Sequence, residues 1–315
     1  MAEFDFNQLI RKHKDAGEFS IIVRPGITAN FYSTEPIHSL APVLAKAIEA
    51  TLAFIPQGTL KAHLAKNGFY KPLSPSLIQK FLKTLKDFPK AMVAWTMDWS
   101  EALDGDVGTH AIFFQGSMLA NKNLQEETNI LRLEFPPDVL ETVGTDKVIA
   151  FLEQIASFFP FQTAHAGYAF KRSRMDPTVT AKEILKMLPR YSGFDPSYAN
   201  IRYYMRNHTF TPQWITLLDE EMTKKAGGLE KIRAALPKAE VRKSGKAVLI
   251  RAAERPPIGD MNRKAKDIGL LPDVARLLAP TRIERDEFDQ DADVFDAAKW
   301  LARFDKLKSL DWKNA

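Results

Sequence analysis

The chain has 315 residues, of which 45% are hydrophobic and 26% charged, with no cysteine and a formal net charge of +5. These proportions belong to globular proteins long enough to bury a full core, and they exclude a disordered chain. The missing cysteines exclude a disulfide framework and thiolate zinc sites.

Phe4 to Lys14, with Phe4, Phe6, Leu9 and Ile10 roughly on one side, predicts a short amphipathic helix ended at Gly17. Phe19 to Arg24 and Ile27 to Ser33 read as strands. The Pro25-Gly26 turn signal between them predicts a hairpin. Ser39 to Phe54 predicts a helix, because Leu40, Val43, Leu44, Ala47 and Ile48 recur at three and four residues and Ser39 offers a cap. A shorter amphipathic stretch follows at Leu60 to Lys66. Pro75 then opens a helix through Phe88.

Met92 to Trp99, His110 to Gly116 and Asn129 to Phe135 predict three strands of an antiparallel meander, with a turn at Asp104-Gly105-Asp106. Thr145 to Phe159 is helical and stops at Pro160. Thr163 to Lys171 predicts a strand and Thr180 to Leu188 a helix. Residues 189–207 hold four of the seven tyrosines and read as loop and short turns. Trp214 to Ala226 predicts a helix stopped by Gly227-Gly228, and Leu229 to Leu236 another turn or two. A hairpin turns at Ser244-Gly245, and Leu271 to Leu278 is helical. Val294, Ala297, Ala298, Leu301, Phe304 and Leu307 repeat at helical spacing. The pattern as a whole predicts an α+β fold, a largely antiparallel sheet covered by helices.

Charge is unevenly spread. Residues 284–296 carry seven acids and one base, a net of −6, which leaves +11 on the remainder. Such blocks mark either a solvated linker or an interaction segment. Met1 to Lys14 mixes charges among its apolar residues, so it lacks the apolar core of a signal peptide. The apolar runs are too short to span a bilayer. The expectation is a soluble, cytoplasmic protein without membrane contact.

Motifs that carry chemistry are missing. The six histidines lie far apart, with no H-E-x-x-H. No phosphate-binding glycine loop and no G-x-S-x-G occurs. Asp98 and Glu134 on separate strands could pair as the carboxylates of a metal-dependent hydrolase. Lys171 to Arg174, Arg202 to Arg206 with Tyr203 and Tyr204, and Arg242-Lys243 could build a basic, aromatic surface for nucleic acid. These are the alternative readings. The leading one expects no catalysis, no cofactor, no metal and no direct contact with nucleic acid.

Four segments of the C-terminal half supply the leading reading. Pro189-Arg190-Tyr191-Ser192-Gly193-Phe194-Asp195 follows the strand that bears Gly167 and Tyr168. Trp214-Ile215-Thr216-Leu217-Leu218, Ala247 to Ala252, and Pro257-Ile258-Gly259-Asp260-Met261-Asn262-Arg263 come next. In order and spacing they resemble a bacterial family of type VI secretion immunity proteins (domain of unknown function 3396, TsiV-like). Ser192 stands where that family has proline, and Ala247 where it has glycine. The resemblance covers roughly Ala166 to Ile283.

The resemblance implies an immunity protein that binds and neutralises a cognate effector toxin, a nuclease with a restriction-endonuclease-like fold. Homo-oligomerisation is left open. Gly167, Tyr168, Tyr191, Trp214, Leu217, Pro257, Gly259, Asp260, Asn262 and Arg263 are expected to serve the fold, Asp260 by bonding amides two residues on. The tail from Glu284 has no counterpart in the family; from their charge alone, Asp286, Glu287, Asp289, Asp291 and Asp293 are expected to contact the toxin. The expected organisation is one α+β domain over residues 1–283, with a division into two lobes near 171–180, then an acidic segment and helix over 284–315.

Overall fold

The computed structural model describes residues 4–15, 18–103, 106–119, 126–173, 177–197, 199–263, 267–283 and 297–309. Eleven strands join in one antiparallel sheet. β1 (Arg11–Asp15), β2 (Glu18–Ser33), β3 (Ala62–Leu64) and β4 (Tyr70–Pro72) come first, then β5 (Ala94–Ser100), β6 (Ala111–Ser117), β7 (Asn129–Phe135) and β8 (Thr163–Arg172). β9 (Ile215–Leu218), β10 (Glu240–Ser244) and β11 (Ala247–Arg251) complete it. Across the sheet the order is β10-β11-β9-β8-β2-β7-β6-β5-β3-β4, with β1 against β2. The expected α+β class and the β5-β6-β7 meander are present.

The helices are α1 (Ile37–Phe54), α2 (Pro75–Lys86), α3 (Thr145–Phe158), α4 (Pro177–Met187), α5 (Glu220–Lys225), α6 (Leu229–Ala235), α7 (Leu271–Leu278) and α8 (Ala297–Leu301). Pro36, not Ser39, stands at the N-cap of α1, without a side-chain cap bond. Ser74 caps α2 by accepting the Leu77 amide, with Pro75 at the first helical position where no donor is needed.

Three local readings are corrected. Phe4 to Lys14 is no helix: a single 3₁₀ turn, Phe6–Leu9, runs into β1. Lys12, His13 and Lys14 alternate across a strand whose partner residues in β2 are Ile21, Ser20 and Phe19.

The Pro25-Gly26 hairpin does not form either, because β2 runs straight through it for 16 residues. One edge of β2 pairs with β8 from Val23 to Tyr32. β1 pairs with β2 only as far as Val23, and on the edge away from β8 the pairing with β7 begins at Ile27. Pro25 sits in the interval between those partners, where its missing N–H costs no ladder bond.

Trp214 to Ala226 divides into β9 and α5. Ile215 to Leu218 is filled between β8 and β11, and Asp219 then caps α5 by accepting the Met222 amide at 2.7 Å. Strand pairing on both edges overrides the helical spacing of the sequence.

Alternation gives the sheet two unlike faces. One carries Ile27, Ala29 and Phe31 of β2, Leu131, Leu133 and Phe135 of β7, and Trp99 of β5. It is covered by α1, α2 and α3: Phe135 meets Phe54 and Phe151, and Trp99 meets Phe81. Burying each such side chain contributes roughly 1.5–3 kcal/mol. The α1 helix is long and apolar enough by composition to cross a membrane, yet Leu40, Leu44, Ile48 and their neighbours are buried in this core.

A second apolar cluster packs α5, α6 and α7 against β9 and β11, around Leu218, Met222, Ile232, Val248 and Val274. It begins at Leu218, whereas the sheet runs unbroken through β8 at residues 171–172. The opposite face of the central strands is polar: Thr28 and Asn30, Arg132 and Glu134, and His165 and Lys171 lie there by register.

Candidate functional site

Two of the segments singled out in the sequence clasp each other. The Ser192 amide donates to Gly259 O (3.1 Å), Gly193 to Ile258 O (3.2 Å), and Met261 to Arg190 O (2.8 Å). Two glycines make this approach feasible. A Cβ on Gly193 would lie 1.9 Å from Pro257 O. Gly259 has φ +64, and a Cβ there would lie 2.4 Å from Ser192 Oγ.

Asp260 is the ionic centre of the clasp. It accepts from Arg190 Nε (3.1 Å) and Nη2 (3.2 Å) and from the Asn262 amide (3.1 Å), with Arg263 Nε 3.6 Å away. The Arg190 hydrogen bonds hold its carboxyl below the usual range, helped by the Asn262 amide and the charges of Arg190 and Arg263 against the opposing effect of burial. Both arginines are about half exposed, so the clasp shows two cations to solvent.

Beneath it lies an aromatic layer. Tyr191 meets Phe4 and Phe194, and Tyr168 stacks on Phe194 at 5.3 Å. Pro257 is buried. Gly167 leaves room for Gln213, whose Oε1 a Cβ would approach to 2.7 Å. Trp214 is fully buried and donates from Nε1 to Ala253 O at 2.9 Å, and Leu217 is buried in β9.

The polar face of the sheet holds a charge network that sequence reasoning missed. His165 Nε2 lies 2.9 Å from Asp195 Oδ2 and 3.0 Å from Asn30 Nδ2. Arg132 donates to Asn30 Oδ1 (2.7 Å) and to Ser197 O (3.0 Å). Burial pushes the Asp195 carboxyl up, but the His165 hydrogen bond and charge, with Arg132 and the Ser197 amide, hold it below the usual range. These are residue types of acid–base chemistry. Asn30, His165 and Asp195 are nevertheless at most 5% exposed, and Phe210 stacks on the imidazole. The arrangement pins three strands and the 195–197 turn together. Its one sequence signal is the recurrence of polar residues at alternate positions within strands otherwise apolar.

At the other end of this face Lys171 is buried completely. Its Nζ donates to Gly108 O (2.6 Å) and to Thr109 O and lies 4.0 Å from Glu134. Burial lowers its pKa to about 8, while Glu134 opposes that shift. Gly26 leaves the space its stem occupies, since a Cβ there would lie 2.8 Å from the Lys171 chain.

The catalytic and basic alternatives take a different form in space. Asp98 and Glu134 do border one shallow cleft, but Asp98 accepts from the Tyr70 hydroxyl (2.7 Å) and Glu134 faces Lys171. Among the described residues no three His, Asp or Glu side chains converge as metal ligands. Among the described residues, three members of the basic surface proposed from sequence are interior or paired. Lys171 is interior, and Arg202 is buried with Glu127 and Thr128 O. Arg242 is paired with Glu153 and Glu240. Arg174 lies outside the described residues.

Asp286, Glu287, Asp289, Asp291 and Asp293 likewise lie outside the described residues. The chain after them returns to the core. Trp300, Leu301 and Phe304 are buried. Arg303 donates to Ser192 O (2.7 Å), and Arg282 holds Asp305 through two 2.7 Å bonds. The C-terminal segment is thereby tied to the 189–195 half of the clasp.

The family model TsiV, described as type VI immunity for VRR-NUC, matches residues 44–304. The solved structure of the Pseudomonas aeruginosa T6SS protein PA0821 superposes with a TM-score of 0.75 at 18% identity, covering 100% of this chain and 90% of that one. At that identity the likeness is one of fold. No curated protein matches the chain.

Proposed function

Because this chain belongs to the TsiV family, type VI immunity for VRR-NUC, we propose that it neutralises a nuclease effector by forming a stoichiometric complex with it, with no chemistry of its own. The observation that carries this reading is the span of the match. Residues 44–304 take in nine of the eleven strands and the C-terminal segment locked onto the clasp. The cognate effector is a restriction-endonuclease-like nuclease that attacks nucleic acid in the cytoplasm, and the immunity protein acts there.

A nuclease must present cationic groups to phosphates. Asp286, Glu287, Asp289, Asp291 and Asp293 are the carboxylates we assign to that basic groove, where they take the place of phosphates. The test is a titration of the protein against the effector's nuclease activity. Inhibition saturating at a fixed molar ratio supports the reading. Progressive loss of effector activity at substoichiometric protein would replace it with an enzymatic mechanism.

A further inference from the structure

A dense run of lysines lies outside the clasp. Residues 61–90 hold seven lysines, no arginine and one acid, Asp87, a net of +6 against +5 for the entire chain. All seven lysines are exposed. Only Lys86 has a carboxylate partner, Glu49; among the described residues Lys61, Lys66, Lys71, Lys80, Lys83 and Lys90 have none.

The fold gathers them on one side. Lys71 pairs in register with His63, whose ring meets Phe81 of α2. The edge strands β3 and β4 and the lysine flank of α2 therefore belong to the same side of the sheet. Phe69, at the β3–β4 turn beside Lys71, is 59% exposed, one of the largest exposed apolar side chains of the protein. Phe81 and Phe88 sandwich Trp95 beneath.

We propose that this lysine face binds the phosphodiester backbone of nucleic acid, without sequence preference, and that Phe69 stacks on an unpaired base. Lysines are compact, mobile point charges suited to phosphates in varied positions, whereas protein interfaces are depleted in lysine and enriched in arginine. A cationic track with an exposed aromatic ring is the arrangement that holds single strands. Lysines that merely guard a sheet edge would be confined to β3 and β4. Lys80, Lys83 and Lys90 lie on and beyond α2. The face uses none of the carboxylates assigned to the effector contact, and, on the proposed immunity function, it would keep the protein at the polymer the effector attacks.

The test is fluorescence anisotropy with a labelled 20-nucleotide single strand and a 20-base-pair duplex, over a series of salt concentrations. Affinity should fall steeply with salt. Lys80→Gln/Lys83→Gln/Lys90→Gln should weaken both probes about tenfold or more at low salt and make the log–log salt slope shallower by about three. Phe69→Ala should weaken the single strand and spare the duplex. A control carrying Lys147→Gln, Lys182→Gln and Lys231→Gln should bind nearly as wild type, and circular dichroism should show every variant folded. Three outcomes overturn the proposal: no binding of either probe at low salt, equal losses in the control, or competition by polyglutamate as effective as by oligonucleotide with Phe69→Ala silent. The last would assign the face to acidic proteins. Inhibition of the effector is measured on the same variants. Its survival beside lost nucleic-acid binding separates this site from the proposed immunity complex.

Discussion

Arg190 and Asp260, seventy residues apart, are joined by two parallel hydrogen bonds of 3.1 and 3.2 Å that close the clasp between the 189–195 and 257–263 segments. The same carboxylate receives the Asn262 amide, so one side chain fixes both the turn and its partner segment. Asp260→Ala should cost about 1–3 kcal/mol in a denaturant melt, since hydrogen bonds to a charged group are lost together. Asp260→Asn should recover part of that.

The pH dependence of the clasp has a defined sign. The Asp260 carboxyl is held low in the folded state, so its contribution is complete above the unfolded pKa of about 4. It is lost as pH falls through the folded value. The stability difference between wild type and Asp260→Ala should therefore shrink on acidification below about pH 4. A constant difference down to pH 2 would remove the ionic role.

Trp214→Ala should cost about 3–5 kcal/mol, because the whole indole is buried. Trp214→Phe keeps most of the volume and loses the Nε1 bond to Ala253 O, which isolates the hydrogen bond at about 1 kcal/mol. A wild-type melting midpoint for Trp214→Ala would contradict the core position.

Lys171 should give stability an alkaline dependence. Its folded pKa is lowered to about 8, against about 10.4 unfolded, so between those values the unfolded chain binds more protons and stability rises with pH. Lys171→Met should abolish that rise. Measuring both proteins at pH 7 and pH 10 tests it; identical slopes would count against the buried ammonium.

Replacing Asp286, Glu287, Asp289, Asp291 and Asp293 with the corresponding amides should slow association with the effector about tenfold at low salt, with a smaller difference at high salt. Stopped-flow association rates are the measurement. Unchanged rates with an intact fold would reduce the segment to a tether for α8.

Much of the fold is legible in the sequence wherever one element alternates between core and solvent on its own. The apolar spacings of α2, α3 and α7, the β5-β6-β7 meander and the β10–β11 hairpin are of this kind, since a local period reports which side faces inward. Four segments also betrayed the family, because turns and close approaches demand particular residues such as Gly193, Gly259 and Asp260. Tertiary structure alone decided the rest. Pro25-Gly26 passes through a strand because the β7 ladder begins only at Ile27 and asks no amide of Pro25, and Ile215 to Leu218 is extended because β8 and β11 hold both its edges. Lys171 reads as a surface lysine until Gly26, diagonally across on β2, makes room for it inside. His165, Asp195 and Asn30 meet only because register brings β2, β8 and the 195–197 turn side by side. Partners like these are set by pairing between distant strands, and no local spacing records that.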